Sequence, residues 1–237
     1  MATLRQVDKV IRVFYSKAGH TDKNEIFLAC NFLNNNGVIA VPTDTLYGIT
    51  ARVDDSLALE RIYKIKGRDP NKPLAICISK LEQIDQVAEV LPKNRQVLPY
   101  LLPGPLTIVL KRSPNLNKDL NPNTNSIGVR LPDHNFIREI SETLGCPLAL
   151  TSANRSGEVS PTTIDDFKEI WDDLDAVFDL GNIKTNITPQ SPLAIRMRAG
   201  STVLDLTEER SYKILREGCG LNRTLNVLNR SGFKRRT

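Results

Sequence analysis

The sequence predicts an α/β chain, a single domain in which helices flank a twisted, mixed β-sheet. Two observations predict it. Short apolar stretches alternate irregularly with amphipathic ones along the 237 residues, with several strand-to-strand steps, so a regular doubly wound fold is not expected. No linker-like stretch divides the chain, and 40% apolar with 25% charged residues suits one substantial core.

The elements follow in order. "KVIRVFY" (9–15) alternates as a first strand; the surrounding Arg5, Lys9, Arg12 and Lys17 keep a weak mitochondrial presequence as the other reading. Thr21 or Asp22 caps a helix from about Asn24, with Ile26, Phe27, Cys30 and Leu33 on one face and Gly37 as its stop. "VIAV" (38–41) is a short buried strand. Asp55 or Ser56 caps a second helix, which turns Leu59, Ile62 and Ile65 inward and ends at Gly67. "LAICIS" (74–79) is a strand, and helices follow near 81–90 and 93–102, the latter stopped by Pro103-Gly104-Pro105.

"LTIVLKR" (106–112) and "SIGVRLP" (126–132) read as a strand pair. "NFIREISETLG" is an amphipathic helix stopped by Gly145, and "PLALTSA" a buried strand entering a polar turn. "TIDDFKEIWDDL" is a helix packing Phe167, Ile170, Trp171 and Leu174 on one face, with Trp171 a core residue. "AVFDL", "LAIRMR" and "STVLDLT" are strands around a flexible loop over 181–192. "YKILREG" ends at Gly218, and "NRTLNVLNRSG" closes the chain as a helix.

Composition narrows the function. No apolar run approaches the roughly 20 residues of a membrane span. Aromatics at 5% argue against stacking platforms for single-stranded nucleic acid. Two histidines, His20 and His134, leave little for a zinc cluster or a histidine-driven triad. Cys30, Cys77, Cys146 and Cys219 lie far apart with no C-x-x-C, which favours reduced thiols in an intracellular protein, Cys30 and Cys77 in the core. The net charge of +5 is uneven: from Lys213 onward seven basic residues meet one acid, Glu217, so the body is close to neutral. The tail "GFKRRT" is a solvated end or a weak RNA contact.

The polar run in "VPTDTLYGIT" (41–50) is unusual after a buried strand, because each polar side chain there needs a partner. Three further stretches suit anions. "KIKGRDPNKP" sets Lys64, Lys66, Arg68 and Lys72 around a helix end. The helix dipole accounts for the first two, while Arg68 and Lys72 beyond Gly67 offer a phosphate site or form a solvated loop. "LTSANRSG" places Thr151, Ser152 and Asn154 where a strand exits, as an anion nest or an Asx-type turn. Arg130 in "NSIGVRLP" sits at an apolar strand end, either as a ligand for an anion or as half of a salt bridge. No G-x-x-x-x-G-K-[ST] and no G-x-G-x-x-G occurs.

"PTDTLYGI", "KIKGRDPNKPL", "PGPLTIVL", "GVRLP", "TSANRSGEVSPT", "GSTVLDLT" and "ILREG" occur in one order, from about residue 24 to 218. In that order the chain resembles the YrdC-like family, the threonylcarbamoyl-AMP synthases. The resemblance implies an N-terminal strand or extension over 1–23, a YrdC-like catalytic domain with a concave, positively charged cleft over 24–220, and a C-terminal helix and basic tail over 221–237. It implies a nucleotidyltransferase that joins L-threonine, bicarbonate and ATP and releases pyrophosphate. Its product would pass to a separate complex that modifies tRNA, in the cytoplasm or also in mitochondria.

By resemblance, Thr45 contacts threonine, Arg130 meets its carboxylate and Ser201 lines the same pocket. Arg68, Lys72, Ser126, Ser152, Ser160 and Arg216 bind ATP. Lys66 and Arg68 with Ser152 and Asn154, the K-x-R and S-x-N pairs, form the catalytic set around its phosphates. Mg²⁺ is expected to arrive on the nucleotide, with no metal site in the protein. The chain departs from the family pattern at Asp69, where R-P is usual, and at Leu180-Gly181, where Gly-Gly is usual; 182–198 is expanded, and no large C-terminal accessory domain is expected. A non-catalytic RNA-binding module is the alternative. A carbamoyl-transfer role in a larger machine would call for acylphosphatase-like or zinc-finger segments, which the sequence lacks.

Overall fold

Along residues 38–41 successive side chains leave the backbone to opposite sides. Val38 and Ala40 join one apolar cluster, Ile39 and Val41 another. The same alternation divides Ile76 from Cys77, Ala149 from Leu148 and Leu150, and Val177 from Ala176 and Phe178. A sheet with two covered faces is the result. The computed structural model describes residues 9–12, 21–67, 73–183 and 200–236.

Among them the strands are β1 (Val10–Arg12), β2 (Ile39–Val41), β3 (Gly48–Arg52), β4 (Ala75–Cys77), β5 (Ala88–Glu89), β6 (Leu106–Arg112), β7 (Ser126–Arg130), β8 (Leu148–Ser152), β9 (Ala176–Asp179), β10 (Thr202–Asp205), β11 (Ser211–Arg216) and β12 (Lys234–Arg235). The helices are α1 (Lys23–Asn34), α2 (Ser56–Lys66), α3 (Ile84–Val87), α4 (Pro92–Arg95), α5 (Leu98–Leu101), α6 (Asn135–Leu144) and α7 (Leu221–Arg230). One sheet runs β1-β9-β2-β3-β8-β4-β7-β6-β10-β11-β12, with β5 on the side of β6. Pairing is mixed: β4–β7 and β6–β10 are parallel, whereas β3–β8, β4–β8 and β6–β7 are antiparallel.

Helix ends follow their local chemistry. Asp22 accepts a hydrogen bond from the amide of Asn24 at the start of α1, and Asp55 accepts from Ala58 at the start of α2. Gly67 and Gly145 close α2 and α6 with φ of 52° and 62°, a region that favours glycine. On one face α1 and α6 bury Ile26, Ala29, Cys30 and Leu33 against Phe136, Ile137 and Ile140, over β2, β8 and β9. On the other, α2 packs Leu59, Ile62 and Ile65, and Leu228 and Phe233 from the C-terminal segment join the same cluster.

Five expectations need correction. Phe27 does not join the inner stripe of α1; it is 66% exposed, because Ile26, Ala29, Cys30 and Leu33 already define the stripe that meets the sheet. The helix expected over 81–90 is a 3₁₀ turn at Leu81–Gln83, then α3, and then β5, which pairs with Lys111 and Arg112. That over 93–102 splits into α4 and α5, and Pro99 in the first turn of α5 brings no amide to continue a helix from α4. Ile164–Asp173 is 3₁₀ and breaks at Phe167 (φ −142°, ψ 32°), yet Phe167, Ile170, Trp171 and Leu174 share one core as the spacing predicted. β3 was not anticipated. Its Thr50 is fully buried and donates its hydroxyl to the carbonyl of Ala149 at 2.8 Å, so a polar residue sits in the sheet without penalty. The expected strand 193–198 and most of the 181–192 loop lie outside the described residues.

Side chains two apart share a sheet face. Leu150 and Ser152 therefore follow Leu148, Ala75 shares the face of Cys77, and Ser126, Gly128 and Arg130 align on β7. The face that α1 and α6 cover over β2, β8 and β9 opens, further across the sheet, into a cleft.

Candidate functional site

The cleft has a volume of about 290 Å³ and is bounded by β3, β4, β6, β7, β8, β10 and β11 and by the loops at residues 43–47 and 200–201. Thr45, Ser126, Arg130, Ser152, Ser160, Ser201 and Arg216 all line it. These residues span most of the chain, and the sheet order brings them together. Lys66 and Asn154 stand behind the wall at Ser152. Arg68 and Lys72 lie outside the described residues.

The polar run after β2 is a stitched turn. The Thr43 hydroxyl donates to the carbonyl of Leu46 at 2.7 Å and accepts from the amides of Thr45 and Leu46, each at 3.2 Å. Tyr47 is fully buried; its hydroxyl donates to the carbonyl of Gly181 at 2.7 Å and accepts from the amide of Leu180 at 2.9 Å. The threonines thus hold the turn, and the tyrosine ties it to the end of β9. Thr45, 1% exposed, is fixed with its hydroxyl toward the cleft.

Arg130, at the end of β7, donates from Nη2 to Asp44 Oδ1 at 2.7 Å and to Thr45 Oγ1 at 3.0 Å. Both side chains of the ion pair are nearly enclosed, Arg130 at 10% and Asp44 at 8% exposure. The salt-bridge reading and the anion-site reading of Arg130 are therefore not exclusive, since the paired guanidinium still faces the cleft. His134, at the N-cap position of α6, lies near Asp44 and Asp133. Burial holds its imidazole down to about 4 against the opposing pull of those two carboxylates. Burial likewise pushes the Cys77 thiol up to about 12 in spite of the nearby Arg130 charge, which leaves no thiolate nucleophile there.

Lys66 ends α2 with its ammonium turned into the protein, only 4% exposed. Its Nζ donates to the carbonyl of Ser152 at 2.7 Å, to the carbonyl of Asn154 and to Asn154 Oδ1 at 3.2 Å. The Ser152 hydroxyl donates to Asn154 Oδ1 at 2.5 Å, and Asn154 Nδ2 donates to the carbonyl of Glu158 at 2.7 Å. Lys66 and the S-x-N stretch are thus one network, with the buried charge of Lys66 closing the turn that presents Ser152.

At the far wall, Arg216 donates from Nε and Nη2 to the carbonyl of Ser201 at 3.1 and 2.8 Å, and from Nη2 to Ser201 Oγ at 3.1 Å. Desolvation and the charge of Arg130 push the Arg216 pKa down, so two guanidiniums act on the same space. Gly218 permits this crossing, because a Cβ there would lie 2.5 Å from Ser201 backbone atoms.

A family model described as "Telomere recombination", that of Sua5, YciO and YrdC, matches residues 31–218. The chain belongs to the Sua5/YciO/YrdC family. Threonylcarbamoyl-AMP synthase of Mus musculus is 41% identical over 196 residues, which cover 83% of this chain and 68% of that one. Putative threonylcarbamoyl-AMP synthase of Methanocaldococcus jannaschii is 39% identical over 178 residues, 75% of this chain and 83% of that one. The crystal structure of P. abyssi Sua5 complexed with L-threonine superposes with a TM-score of 0.79 at 29% identity and covers 96% of this chain. This Sua5/YciO/YrdC chain spans 62% of the length of that Sua5 chain.

Sequence reasoning missed Asp44, Thr43 and Thr107 as parts of the site. Asp44 and Thr43 stood in the polar turn that drew attention, but their partners, Arg130 and the turn's own backbone, are visible only in the fold. Thr107 lies in "PGPLTIVL" as a polar residue in an apolar strand, a signal of the same kind as Arg130.

Proposed function

We propose that this chain is a threonylcarbamoyl-AMP synthase, an enzyme of the nucleotidyltransferase class. The observation that supports it best is the gathering of Thr45, Arg130 and Ser201 with Ser126, Ser152, Ser160 and Arg216 around one cleft, in a chain 41% identical to a synthase of that name. L-threonine would lie at Thr45 and Ser201, with its carboxylate on Arg130. Asp44 and Thr45 both hold Nη2 of that guanidinium, so its plane is set before a ligand arrives. ATP would lie along Ser126, Ser152, Ser160 and Arg216, with Arg68 and Lys72 as further phosphate partners.

The reaction then needs little acid–base chemistry from the protein. The amine of threonine and bicarbonate give a carbamate and water. A carbamate oxygen attacks the α-phosphorus of ATP, and pyrophosphate leaves with the bond's electron pair. All reactants are anions or become so, and the task is to hold them together against their repulsion. The Arg130 and Arg216 guanidiniums would do this. Lys66 and Asn154 act by fixing the Ser152 turn. Mg²⁺ fits as a passenger on the phosphates, since Asp44, a carboxylate at the site, is committed to Arg130.

The product would pass to a complex that transfers the threonylcarbamoyl group to tRNA. An RNA contact through the tail would fall to Lys234 and Arg235, which are exposed, since Arg236 pairs with Asp205 at 3.0 Å and with Glu208 at 2.5 Å. No helix of the described residues is long and apolar enough to cross a membrane. The test is pyrophosphate release by purified protein with ATP, bicarbonate and L-threonine. Release that stops when threonine is withheld supports the assignment, and release indifferent to threonine removes it.

A further inference from the structure

We propose that Thr107 is a positioning residue that sets the hydrogen-bond direction of Ser201 and so decides what that serine offers to the amino-acid substrate. The inference rests on the proposed synthase reading of the cleft.

Thr107 and Ser201 are 94 residues apart, yet their hydroxyl oxygens lie 2.8 Å from each other. The parallel pairing of β6 with β10, which sets Thr107 beside Val203, brings them together. Both are buried, at 6% and 3% exposure, and both line the cleft.

The chemistry of the donors limits what this pair can do. A guanidinium only donates, so Ser201 Oγ accepts from Arg216 Nη2 at 3.1 Å. One proton and one lone pair then remain on Ser201. If Ser201 gives its proton to Thr107, it has only a lone pair for a ligand. If Thr107 donates instead, both lone pairs of Ser201 are filled and its proton is free to point into the cleft. Two guanidiniums already make this space suited to an acceptor. We therefore assign Thr107 as the donor and Ser201 as a donor to an oxygen of the bound amino acid.

Packing fixes where the Thr107 hydroxyl sits. A Cβ built on Gly128 would lie 3.0 Å from Thr107 Cγ2 and 3.8 Å from the Ala75 side chain. The threonine methyl is thus seated over the bare backbone of Gly128, and the β-branched side chain has little rotamer freedom there. With the methyl so seated, the hydroxyl faces Ser201. Because Ser201 also anchors Arg216, the amino-acid end and the nucleotide end of the cleft share one hydrogen-bonded unit.

Titration calorimetry of wild-type, Thr107→Val and Thr107→Ser proteins with L-threonine, and separately with MgATP, tests this. Valine keeps the methyl seat and removes the donor; serine keeps the donor. The expected result is L-threonine affinity weakened about tenfold in the valine variant and restored to within about threefold in the serine variant, with MgATP affinity changed less. Valine binding threonine as wild type does, or serine as weak as valine, overturns the proposal while the synthase reading stands. Wild-type protein that binds neither L-threonine nor MgATP overturns both.

Discussion

The carboxylate of Asp44 and the guanidinium of Arg130 meet at 2.7 Å across 86 residues of sequence, both almost closed off from solvent. A buried pair of this kind contributes little net stability while intact, because desolvation offsets its attraction. Removing one partner is another matter, since the other charge is left uncompensated. Asp44→Asn is expected to lower unfolding stability by about 3 kcal/mol and to weaken threonine binding, as the Arg130 plane loses its main restraint. Denaturant titration with parallel threonine binding checks this. A variant as stable as wild type would mean that the pair is solvated.

Lys66 makes a different prediction because its ammonium meets carbonyl oxygens on the Ser152 turn. Lys66→Met is expected to cost about 2–3 kcal/mol of stability and to raise the KM for ATP more than that for threonine. Lys66→Arg is expected not to rescue it, since a planar fork does not fit where a compact ammonium reaches three acceptors on two residues. Full activity in the arginine variant would show that charge alone matters.

The buried imidazole of His134 sets a pH dependence. Its folded-state pKa, about 4, lies below the ordinary value of 6.5. Between those values the unfolded chain binds more protons than the folded one, so stability rises with pH across the window and falls as pH drops from 6.5 toward 4. The loss attributable to this residue is about 2–3 kcal/mol. His134→Gln should flatten the slope of stability against pH in that interval. An unchanged slope would place the titration elsewhere.

Gly218 needs its missing side chain. A Cβ would lie 2.5 Å from Ser201 carbonyl atoms and 2.6 Å from the carbonyl of Gly200, all backbone. Gly218→Ala is expected to displace the Ser201–Arg216 contact and to raise the KM for both substrates together. A rise for one alone would separate the two ends of the cleft.

Much of this was legible before the fold. Arg130 was conspicuous as a charge at the end of an apolar strand, and Ser152 and Asn154 as polar residues where a strand exits. Their cost when buried is what made them visible. Asp44 was not, because an acid between two threonines looks like any turn residue until Arg130 is placed beside it. β3 escaped notice for a related reason: Gly48, Thr50 and Arg52 leave only Ile49 and Ala51 as its apolar residues, and the bond from Thr50 to Ala149 that accommodates the threonine is long-range. The 3₁₀ segment at Ile164–Asp173 escaped because residues spaced three, four and seven apart converge on one core in either helix type once Phe167 leaves helical geometry.

In the proposed reaction one cleft aligns threonine, as its carbamate, with the α-phosphate of ATP. Incubating the protein with MgATP, L-threonine and ¹³C-labelled bicarbonate, and reading the adenylate by mass spectrometry, addresses it directly. The expected product is a threonine-bearing carbamoyl adenylate that is heavier by the single labelled carbon. An adenylate without that carbon, or only ADP or AMP whether or not threonine is present, would contradict it.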